Sequence, residues 1–567
     1  MENVLRRLVL PQGIVQTPQE GYNSRESGLK RRFQIRHMSI SIMPNDSEAN
    51  EGPRQFRIAG MPLSAIAFLI LSATIMLIRS HYHLLWADEF GVLDTVSISS
   101  VARFIHILLT KPVMFDPLVY SIFAHASICL FGAGAFAIRL PSMCGYLLMQ
   151  ICLYYFVRRI ASERAATFAL AFPALMGVSS YAVQGRPYGL LLGLSALAML
   201  SWQTAMRRDL RRTLSLVVLF LSLAMAVNTQ YYAVLLFFPF CAAESIRILD
   251  RRRVDVPVLL SIGAGMSGIL ILLPFVRALL PVRAHSMNDV SYHFIFHSYL
   301  WMMMGNADLG VPVQYIIPMQ HILGFAGAVL LVVLIWGFWR KRASLTILLP
   351  RGEAVFLVML AALPVFGYLL AHFVTKQIEG RYILPAIIGI AALLAVLIAP
   401  LLQNKTMGRI VLVSLFVAIA VTGFQHIRTE IEQAQGTMSS LVLTPETQRN
   451  LAMFPGQPVY VVNPTVYFIV GYYSPNPDVR SRITLIYSQD EEMLYQHTDL
   501  ISITSANMRS YGVLNVVPYE SVFRSGTDHL FLLYHNYWID PALSASHAQI
   551  TYLGQVFGGE LVSARFP

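Results

Sequence analysis

Runs of apolar residues, each about as long as a membrane-spanning helix, alternate with short polar segments along most of the chain. A helix needs about 20 apolar residues to cross the hydrocarbon core of a bilayer, so each run is a candidate span. The runs are 59–78, 140–157, 165–183, 188–206, 214–230, 231–248, 256–280, 317–339, 354–374, 383–402 and 410–424. The pattern predicts an all-α polytopic membrane protein.

A further apolar stretch, 116–133, decides the orientation of the predicted bundle. If it does not cross the membrane, the arginine-rich and lysine-rich loops all fall on one side, and such loops face the cytoplasm. If it crosses, the same loops lie outside. We therefore predict about 11 transmembrane helices, with 116–133 lying flat at the outer membrane surface. The outer side then holds 79–137, 184–187, 281–316, 375–382 and the C-terminal tail.

The two ends of the chain differ in character from the apolar middle. Residues 1–58 are polar with no apolar core of a signal peptide, and we expect a disordered cytoplasmic extension. Residues 425–567 alternate strand-like and helix-like pieces, which predicts a small extracytoplasmic α/β domain. The strand-like pieces are Pro458–Val462, Arg482–Tyr487, Leu514–Pro518 and His529–Tyr534. Residues 59–424 form the predicted transmembrane domain.

The composition excludes a disordered protein and a soluble globular protein of ordinary composition. Of the 567 residues, 56% are hydrophobic and 13% are charged, whereas a soluble chain carries about 25% charged residues. The net charge is +11, but the positive charge sits in short loops between apolar runs, which argues against nucleic acid as a partner. The four cysteines lie in apolar stretches, so neither a disulfide framework nor a cysteine metal site is predicted.

Two adjacent carboxylates close to a predicted membrane face are the first candidate catalytic residues. Asp88 and Glu89 follow the first span among aromatic residues, and carboxylates in such a place are costly to desolvate. Taken alone, this dipeptide has an alternative interpretation, which is a solvated loop in which the two acids are adjacent by chance. Further polar motifs follow in order: Lys111-Pro112, Asp116-Pro117-Leu118-Val119-Tyr120, His125, Arg139-Leu140-Pro141-Ser142, Gln184-Gly185-Arg186-Pro187-Tyr188 and Arg381-Tyr382-Ile383-Leu384-Pro385.

This order of motifs resembles the GT-C fold glycosyltransferases that depend on polyprenyl-phosphate sugars. It looks closest to the bacterial relatives of the protein O-mannosyltransferases and of the lipid A aminoarabinose transferase. The resemblance covers about residues 59–400. One departure is Gly185, where relatives often carry glutamate after the glutamine; any role of that second acid cannot be transferred, and Asp116 is a candidate substitute.

The resemblance implies a membrane glycosyltransferase that moves a sugar from a polyprenyl-monophosphate donor to an extracytoplasmic acceptor with inversion. No cofactor or metal is predicted. A carboxylate against the acceptor can take its proton, and we assign that role to Asp88, with Glu89 positioning it or binding the acceptor. Fixed cations beside the departing phosphate stabilise its growing charge. The candidate donor-binding residues are Lys111, Arg186, Lys376, Arg381 and Tyr382.

Other polar residues of the predicted outer face are weaker candidates. Acceptor or sugar contacts are expected from Asp116, Tyr120, His125, Gln184 and Tyr188. His293 and His297 are spaced for one helix face, yet no carboxylate or cysteine completes a ligand set. An interfacial aromatic loop over the lipid donor is the better interpretation of that segment. Arg139 ranks lower, as a packing or anchoring residue.

Two alternatives from other functional classes stay open at this stage. A transporter or lipid flippase fits the number of predicted spans, although its ionisable residues would lie at mid-membrane depth rather than at one face. A non-catalytic scaffold fits the missing acid at position 185. The sequence leaves the sugar undecided, and the acceptor is a glycan, a lipid or a protein. The predicted location is the inner (plasma) membrane with the active site on the extracytoplasmic face.

Overall fold

A computed structural model describes residues 57–58, 60–111, 117–207, 211–283, 290–304, 349–511, 515–522, 527–534 and 537–567. The predicted N-terminal extension, apart from its last residues, the predicted span 317–339 and Asp116 lie outside these ranges. Residues 56–567 form one compact unit, so the helical part and the C-terminal part share a single packed body.

Helices dominate the first part of this unit. In chain order they are α1 Leu63–Tyr82, α2 Ala87–Val96, α3 Val101–Thr110, α4 Leu118–Phe131, α5 Ala135–Arg158, α6 Glu163–Leu175, α7 Tyr188–Ala205, α8 Arg212–Val227, α9 Phe237–Arg251, α10 Val256–Met266, α11 Gly268–Arg283, α12 His293–Met304, α13 Arg351–Ala361, α14 Leu363–Leu370, α15 Ala386–Gln403 and α16 Lys405–Ser440. Short 3-10 helices cover Gly177–Val183, Tyr231–Leu236 and Gly380–Ile383.

The second part mixes short helices with strands. Its helices are α17 Pro445–Ala452, α18 Pro464–Tyr473, α19 Pro477–Arg482, α20 Gln489–Gln496, α21 Leu500–Arg509 and α22 Ile539–Ala545. The strands are β1 Arg57–Ile58 and β2 Met61–Pro62 near the start of the unit, then β3 Val459–Val461, β4 Ile483–Tyr487, β5 Val516–Pro518, β6 Asp528–Leu533, β7 Gln549–Val556 and β8 Gly559–Arg565.

Several of the helices have the length and apolar composition of membrane spans. Within the described residues six single helices qualify, and up to eight spans are counted if the bent pairs Glu163–Leu175 with Gly177–Val183 and Arg351–Ala361 with Leu363–Thr375 each cross once. These helices support a multi-pass membrane protein, but the predicted count of 11 is not confirmed. Within the stretch 116–133, the residues Leu118–Phe131 form the 14-residue helix α4, which is shorter than a span.

Close packing of α5 on α7 brings two polar motifs together. A Cβ atom on Gly145 would lie 2.4 Å from Cα of Leu190, and one on Gly189 would lie 2.3 Å from the carbonyl oxygen of Ser142. Small residues at such positions let two helix backbones approach. The Ser142 hydroxyl also accepts a hydrogen bond from N–H of Gly189 and donates to the carbonyl of Tyr181. The starts of both helices are thereby fixed side by side.

The C-terminal part is built on one six-stranded sheet in the order β5-β4-β3-β6-β8-β7. The first four of these strands are parallel, and β8 pairs antiparallel with both β6 and β7. The four strand-like pieces of the sequence coincide with β3, β4, β5 and β6, whereas the β7–β8 hairpin was not predicted. Val459, Leu485 and Leu530 are buried in the centre of the sheet.

The 36-residue helix α16 joins the two parts without a break. Its N-terminus is capped by the side chain of Asn404, which accepts hydrogen bonds from Thr406 and Met407. The helix continues to Ser440, so the predicted domain boundary between 424 and 425 falls inside it. Helical hydrogen bonding does not stop where the apolar run ends, so α16 runs from the predicted transmembrane domain into the C-terminal part.

Candidate active site

The predicted acidic pair lies in the first turn of α2. Trp86 precedes the helix in an extended conformation, and Asp88 and Glu89 are the acidic residues of the first turn. Carboxylates are favoured there because the helix dipole presents partial positive charge at its N-terminus. The two side chains nevertheless lie in different surroundings, since Asp88 is 30% exposed and Glu89 is fully buried.

Glu89 is held by Arg139 at the start of α5. Nε and Nη2 of Arg139 donate to the two carboxylate oxygens at 2.7 Å each. N–H of Gly185 donates to the same carboxylate at 2.6 Å. Arg139 also donates to the carbonyls of Ser80 and His83 at 2.7 and 2.8 Å. A buried ion pair is tolerated when its remaining donors and acceptors are satisfied in this way.

Burial narrows the expectation for Glu89 and agrees with an anchoring role for Arg139. Glu89 has no exposed surface with which to bind an acceptor, so of the two roles predicted for it only positioning is compatible with its place. Arg139, which ranked lower among the candidates, is the residue that anchors the acidic pair. The Arg-Leu-Pro-Ser motif was the available signal, but its partner lies 50 residues away in sequence.

Asp88 contacts another predicted site residue directly. Its carboxylate forms an ion pair with Nη1 of Arg186, whose side chain is only 7% exposed. The Arg186 guanidinium lies 5.6 Å from the ring centroid of Tyr188, and Nη2 donates to the Tyr188 hydroxyl at 3.4 Å. The proton acceptor and the phosphate-binding cation predicted from sequence thus lie at one point of the fold.

A cavity of about 770 Å³ lies near this pair, with its lining reaching to within two residues of both Asp88 and Arg186 but including neither. Trp86 and Gln184, which come from the loops that lead to Asp88 and Arg186, are among its lining residues. Aromatic side chains form much of its wall, and ion-paired groups come from the loop before α15. Other lining residues are His83, Tyr181, Phe294, His297, Trp301, Glu379, Arg381, Glu430 and Ile469. The cavity combines apolar walls with a few convergent charges, as ligand sites do.

Of the predicted phosphate-binding cations, Arg381 lines the cavity. Its Nη2 lies 2.7 Å from the Glu379 carboxylate, and its guanidinium is 6.0 Å from the ring centroid of Tyr382. Tyr382 stacks on Tyr232 with ring centroids 5.3 Å apart. Trp301 donates from its indole N–H to the hydroxyl of Tyr181 across the cavity wall. Trp301 belongs to the aromatic loop that the sequence predicts over the lipid donor, whereas sequence reasoning did not single out Tyr181 or Glu379.

The two lysines of the predicted clamp do not line the cavity. Lys376 has a positive φ of 55° and donates from its ammonium to the carbonyl of His372, and it is exposed. Lys111 is an exposed residue at the end of α3 whose carbonyl accepts from Tyr511 at 3.4 Å. Of the four predicted cations, Arg381 lines the cavity and Arg186 follows the lining residue Gln184 by two positions, whereas both lysines lie outside the lining.

Of the residues predicted to contact the acceptor or the sugar, some lie at the cavity and others lie away from it. Gln184 lines the cavity, and Tyr188 is buried against Tyr181 with ring centroids 5.2 Å apart. Tyr120 is completely buried and donates to the carbonyl of Ile138 at 2.6 Å. His125 bonds through Nδ1 to the carbonyl of Val96 at 2.7 Å. Tyr120 and His125 therefore brace α4 against its neighbours and do not line the cavity.

The two histidines of α12, His293 and His297, make different contacts. His297 lines the cavity, while Nδ1 of His293 lies 2.9 Å from the Ser291 hydroxyl. Within the ranges that the structure describes, no group of three His, Cys, Asp or Glu side chains is arranged to hold a metal ion. His83 lies beyond the end of α1, where burial and then the Arg139 charge lower its pKa to about 4, against an opposing effect of Glu89.

The C-terminal part also supplies walls and supports of the site. Glu430 of α16 pairs with Arg79 at 2.8 Å, and Ile469 of α18 lines the cavity. Phe90 of α2 stacks on Phe468 of α18 with ring centroids 5.0 Å apart and planes 9° apart. The helix that carries the acidic pair is therefore packed directly on the C-terminal part.

Comparison with known proteins gives a consistent picture. The family described as dolichyl-phosphate-mannose-protein mannosyltransferase matches residues 116–277. ArnT from Cupriavidus metallidurans in the apo state is 13% identical with a TM-score of 0.51, and ArnT bound to undecaprenyl phosphate is 14% identical with a TM-score of 0.52. Each alignment covers 88% of this chain and 97% of ArnT. The chain has the GT-C fold of a glycosyltransferase. No curated protein matches the sequence.

The family match and the shared fold confirm the prediction of a GT-C fold glycosyltransferase made from the order of the sequence motifs. The alternative of a transporter or flippase is not favoured. Within this GT-C protein, the family match begins at residue 116 and therefore excludes Asp88 and Glu89. The roles of individual residues are argued next from their geometry.

Proposed function

We propose that this protein transfers a sugar from a polyprenyl-monophosphate donor to a nucleophilic acceptor at the extracytoplasmic face of the inner membrane. The observation that carries the proposal is the Asp88–Arg186 ion pair at the start of α2, beside a cavity with aromatic walls. A GT-C fold shared with a protein that binds undecaprenyl phosphate supports the choice of donor.

Asp88 is the proposed proton acceptor of the reaction. Its carboxylate is partly exposed, whereas Glu89 is buried in a closed ion pair, so Asp88 alone of the pair can approach a substrate. The acceptor hydroxyl or amine transfers its proton to Asp88 as it attacks the anomeric carbon. The bond between that carbon and the phosphate oxygen breaks, which leaves polyprenyl phosphate and an inverted glycosidic linkage. Positioned general bases typically contribute about 10²–10⁴-fold.

Arg186 and Arg381 are the proposed phosphate contacts. A departing phosphate gains negative charge, and guanidinium groups that are held in place stabilise it without reorganisation. Arg186 is held by Asp88 and Tyr188, and Arg381 by Glu379. A phosphate that enters this region competes with Asp88 for Arg186, and the released carboxylate is then free to accept the acceptor's proton.

Glu89 and Arg139 act through Asp88 as positioning residues. Their ion pair fixes the first turn of α2 to the start of α5, and the Gly185 N–H ties the same carboxylate to the loop that carries Arg186. The first turn of α2, which carries Asp88, and the loop that carries Arg186 therefore meet at one buried carboxylate.

The proposal is tested by mass spectrometry of lipid-linked sugars and of surface glycans, glycolipids and proteins from cells with and without the gene. Deletion is expected to cause accumulation of one polyprenyl-phosphate monosaccharide and loss of one sugar from one envelope product. Wild type and the control Asp490→Asn, which alters an exposed acid of α20, should restore that sugar. Asp88→Asn should insert normally and restore none. Full restoration by Asp88→Asn overturns the assigned role.

A further inference from the structure

A second cavity, of about 320 Å³, lies where α7 and α9 end and α10 begins. Its charged lining residues are Arg207, Glu244, Arg247, Arg251, Arg253 and Asp255. α7 starts beside Arg186 and rises about 27 Å over its length, so this cavity lies at the opposite end of the helices from Asp88. Its volume is near the lower end of the range of about 300–1,000 Å³ for small-molecule sites.

The base of this cavity is a closed set of buried groups. The Glu244 carboxylate forms an ion pair with Arg247 and accepts a hydrogen bond from the indole N–H of Trp202 at 2.5 Å. The Arg247 guanidinium lies 5.9 Å from the Trp202 ring centroid. Asp255 forms an ion pair with Arg212. Both lining acids are therefore neutralised by arginines fixed in place, which leaves a preformed wall.

The rim carries positive charge that these acids do not neutralise. Arg207, Arg251 and Arg253 are exposed, and none forms an ion pair within the described part of the chain. The nearby Asp250 is paired with Arg351 instead. Glu353 of α13 lies within the electrostatic reach of Arg207 and Arg251 without forming an ion pair with them. The cavity as a whole therefore favours an anion.

Two buried polar atoms of this cavity indicate which hydrogen-bonding groups its ligand carries besides negative charge. Nε of Arg247 and Oδ2 of Asp255 are both buried without a hydrogen-bond partner. The Arg247 side chain as a whole is also buried, since the residue is only 6% exposed. Such atoms cost free energy unless a partner satisfies them. An occupant that suits this wall therefore combines acceptor oxygens for the arginines with a hydroxyl or ammonium donor for Asp255.

We propose that this cavity binds the phosphate of a phospholipid headgroup that also carries a donor, such as an ethanolamine or glycerol headgroup. Guanidinium groups match the geometry of phosphate oxygens through paired N–H donors. The cavity sits where apolar helices end, which is the depth of headgroups, and basic pockets between transmembrane helices bind such headgroups. A soluble phosphate ester has the same phosphate chemistry and is the other source that an experiment must distinguish.

The test measures ligand binding to the purified full-length protein by native mass spectrometry, with no sugar donor present. The probes are short-chain phosphatidylethanolamine, phosphatidylglycerol and phosphatidylcholine, together with glycerol phosphate. The rim variant is Arg251→Gln with Arg253→Gln. A control with equal charge loss is Arg252→Asn with Arg409→Gln, since both residues are exposed and neither lines the cavity.

Wild type and the control should retain ethanolamine or glycerol lipids, and the rim variant should bind them about tenfold or more weakly. Asp88→Asn should bind as wild type does, so failure of the proposed transferase reaction leaves this result unaffected. Equal binding of glycerol phosphate and the lipids overturns the lipid as the occupant. Equal weakening in the rim variant and the control, or equal retention of phosphatidylcholine in all variants, overturns the site itself.

Discussion

Arg139 holds both carboxylate oxygens of Glu89 at 2.7 Å inside a region from which neither side chain reaches solvent. The pair joins the first turn of α2 to the start of α5, and the Gly185 N–H joins the loop of Arg186 to the same carboxylate. Three segments that are distant in sequence therefore meet at one buried charge, which positions the exposed neighbour Asp88.

Breaking this ion pair should destabilise the protein more than removing the charge of Asp88. Glu89→Gln leaves Arg139 buried without a counter-charge, and loss of one partner of a buried pair typically costs about 3–5 kcal/mol. Arg139→Gln should have a similar effect, and the double variant should lose less than the sum because the two residues are coupled. Denaturant unfolding of the purified variants measures this. Additive losses would show that the contacts of Arg139 with backbone carbonyls, not the ion pair, carry the stability.

Placing at position 185 the glutamate that the family resemblance suggests should not improve the protein. A Cβ atom on Gly185 would lie 2.7 Å from Cδ1 of Ile138 and 3.1 Å from the Glu89 carboxylate. Gly185→Glu therefore adds a clash and brings a second negative charge next to a buried one, and overpacking alone typically costs about 1–3 kcal/mol. We expect lower stability and lower transferase activity.

Gly185→Ala separates the two effects because it adds the Cβ atom without the charge. Its stability should fall between wild type and Gly185→Glu. A rise in activity in Gly185→Glu, measured as sugar restored to the envelope product, would show that the missing acid limits catalysis.

The contact between α2 and the C-terminal part should contribute to the placement of Asp88. The Tyr473 hydroxyl accepts a hydrogen bond from N–H of Leu85 at 3.0 Å, just before α2. Tyr473→Phe removes that bond and should cost about 1 kcal/mol of stability, with a lower turnover of the transferase. Tyr472→Phe is the matched control, because Tyr472 is 50% exposed and its hydroxyl makes no backbone hydrogen bond with any residue that the structure describes. Equal activities of the two variants would contradict a positioning role for α18.

Asp94 gives a prediction that depends on pH. Burial raises the pKa of this α2 carboxyl to about 7, and its Oδ2 atom is buried without a hydrogen-bond partner. Since the folded protein holds this proton more tightly than the unfolded chain does, the carboxyl's contribution to stability is complete below pH 3.8 and is lost as the pH rises through about 7.

Asp94→Asn, which cannot ionise, should therefore be more stable than wild type at pH 8 and gain less at pH 5. Denaturation midpoints at the two pH values measure the difference. Asp490→Asn, at an exposed site, should show no such change between them. A gain for Asp94→Asn that is the same at both pH values would mean that Asp94 is already ionised at the lower one.

The motif order was enough to predict the GT-C fold and the glycosyltransferase activity, whereas the composition of the site was predicted only in part. Arg186 and Arg381 reach the site region because each sits at the start of an apolar run, close to a membrane face. Lys111 and Lys376 were chosen on the same argument, yet neither lines the cavity, and the Lys376 ammonium donates to the carbonyl of His372. Position along the membrane normal can be read from apolar runs, but the direction of a side chain within that plane cannot.

The sequence by itself determined the apolar helices, the strand-like pieces β3 to β6 and the acidic start of α2, since each depends on residues that are close together in the chain. Only the tertiary structure decided that Glu89 is buried against Arg139. It also decided that Asp88 contacts Arg186, 98 positions later in the chain, and that Arg79 contacts Glu430, 351 positions later. Burial and charge pairing depend on what the remainder of the chain brings alongside, and no local pattern records which distant segment that is.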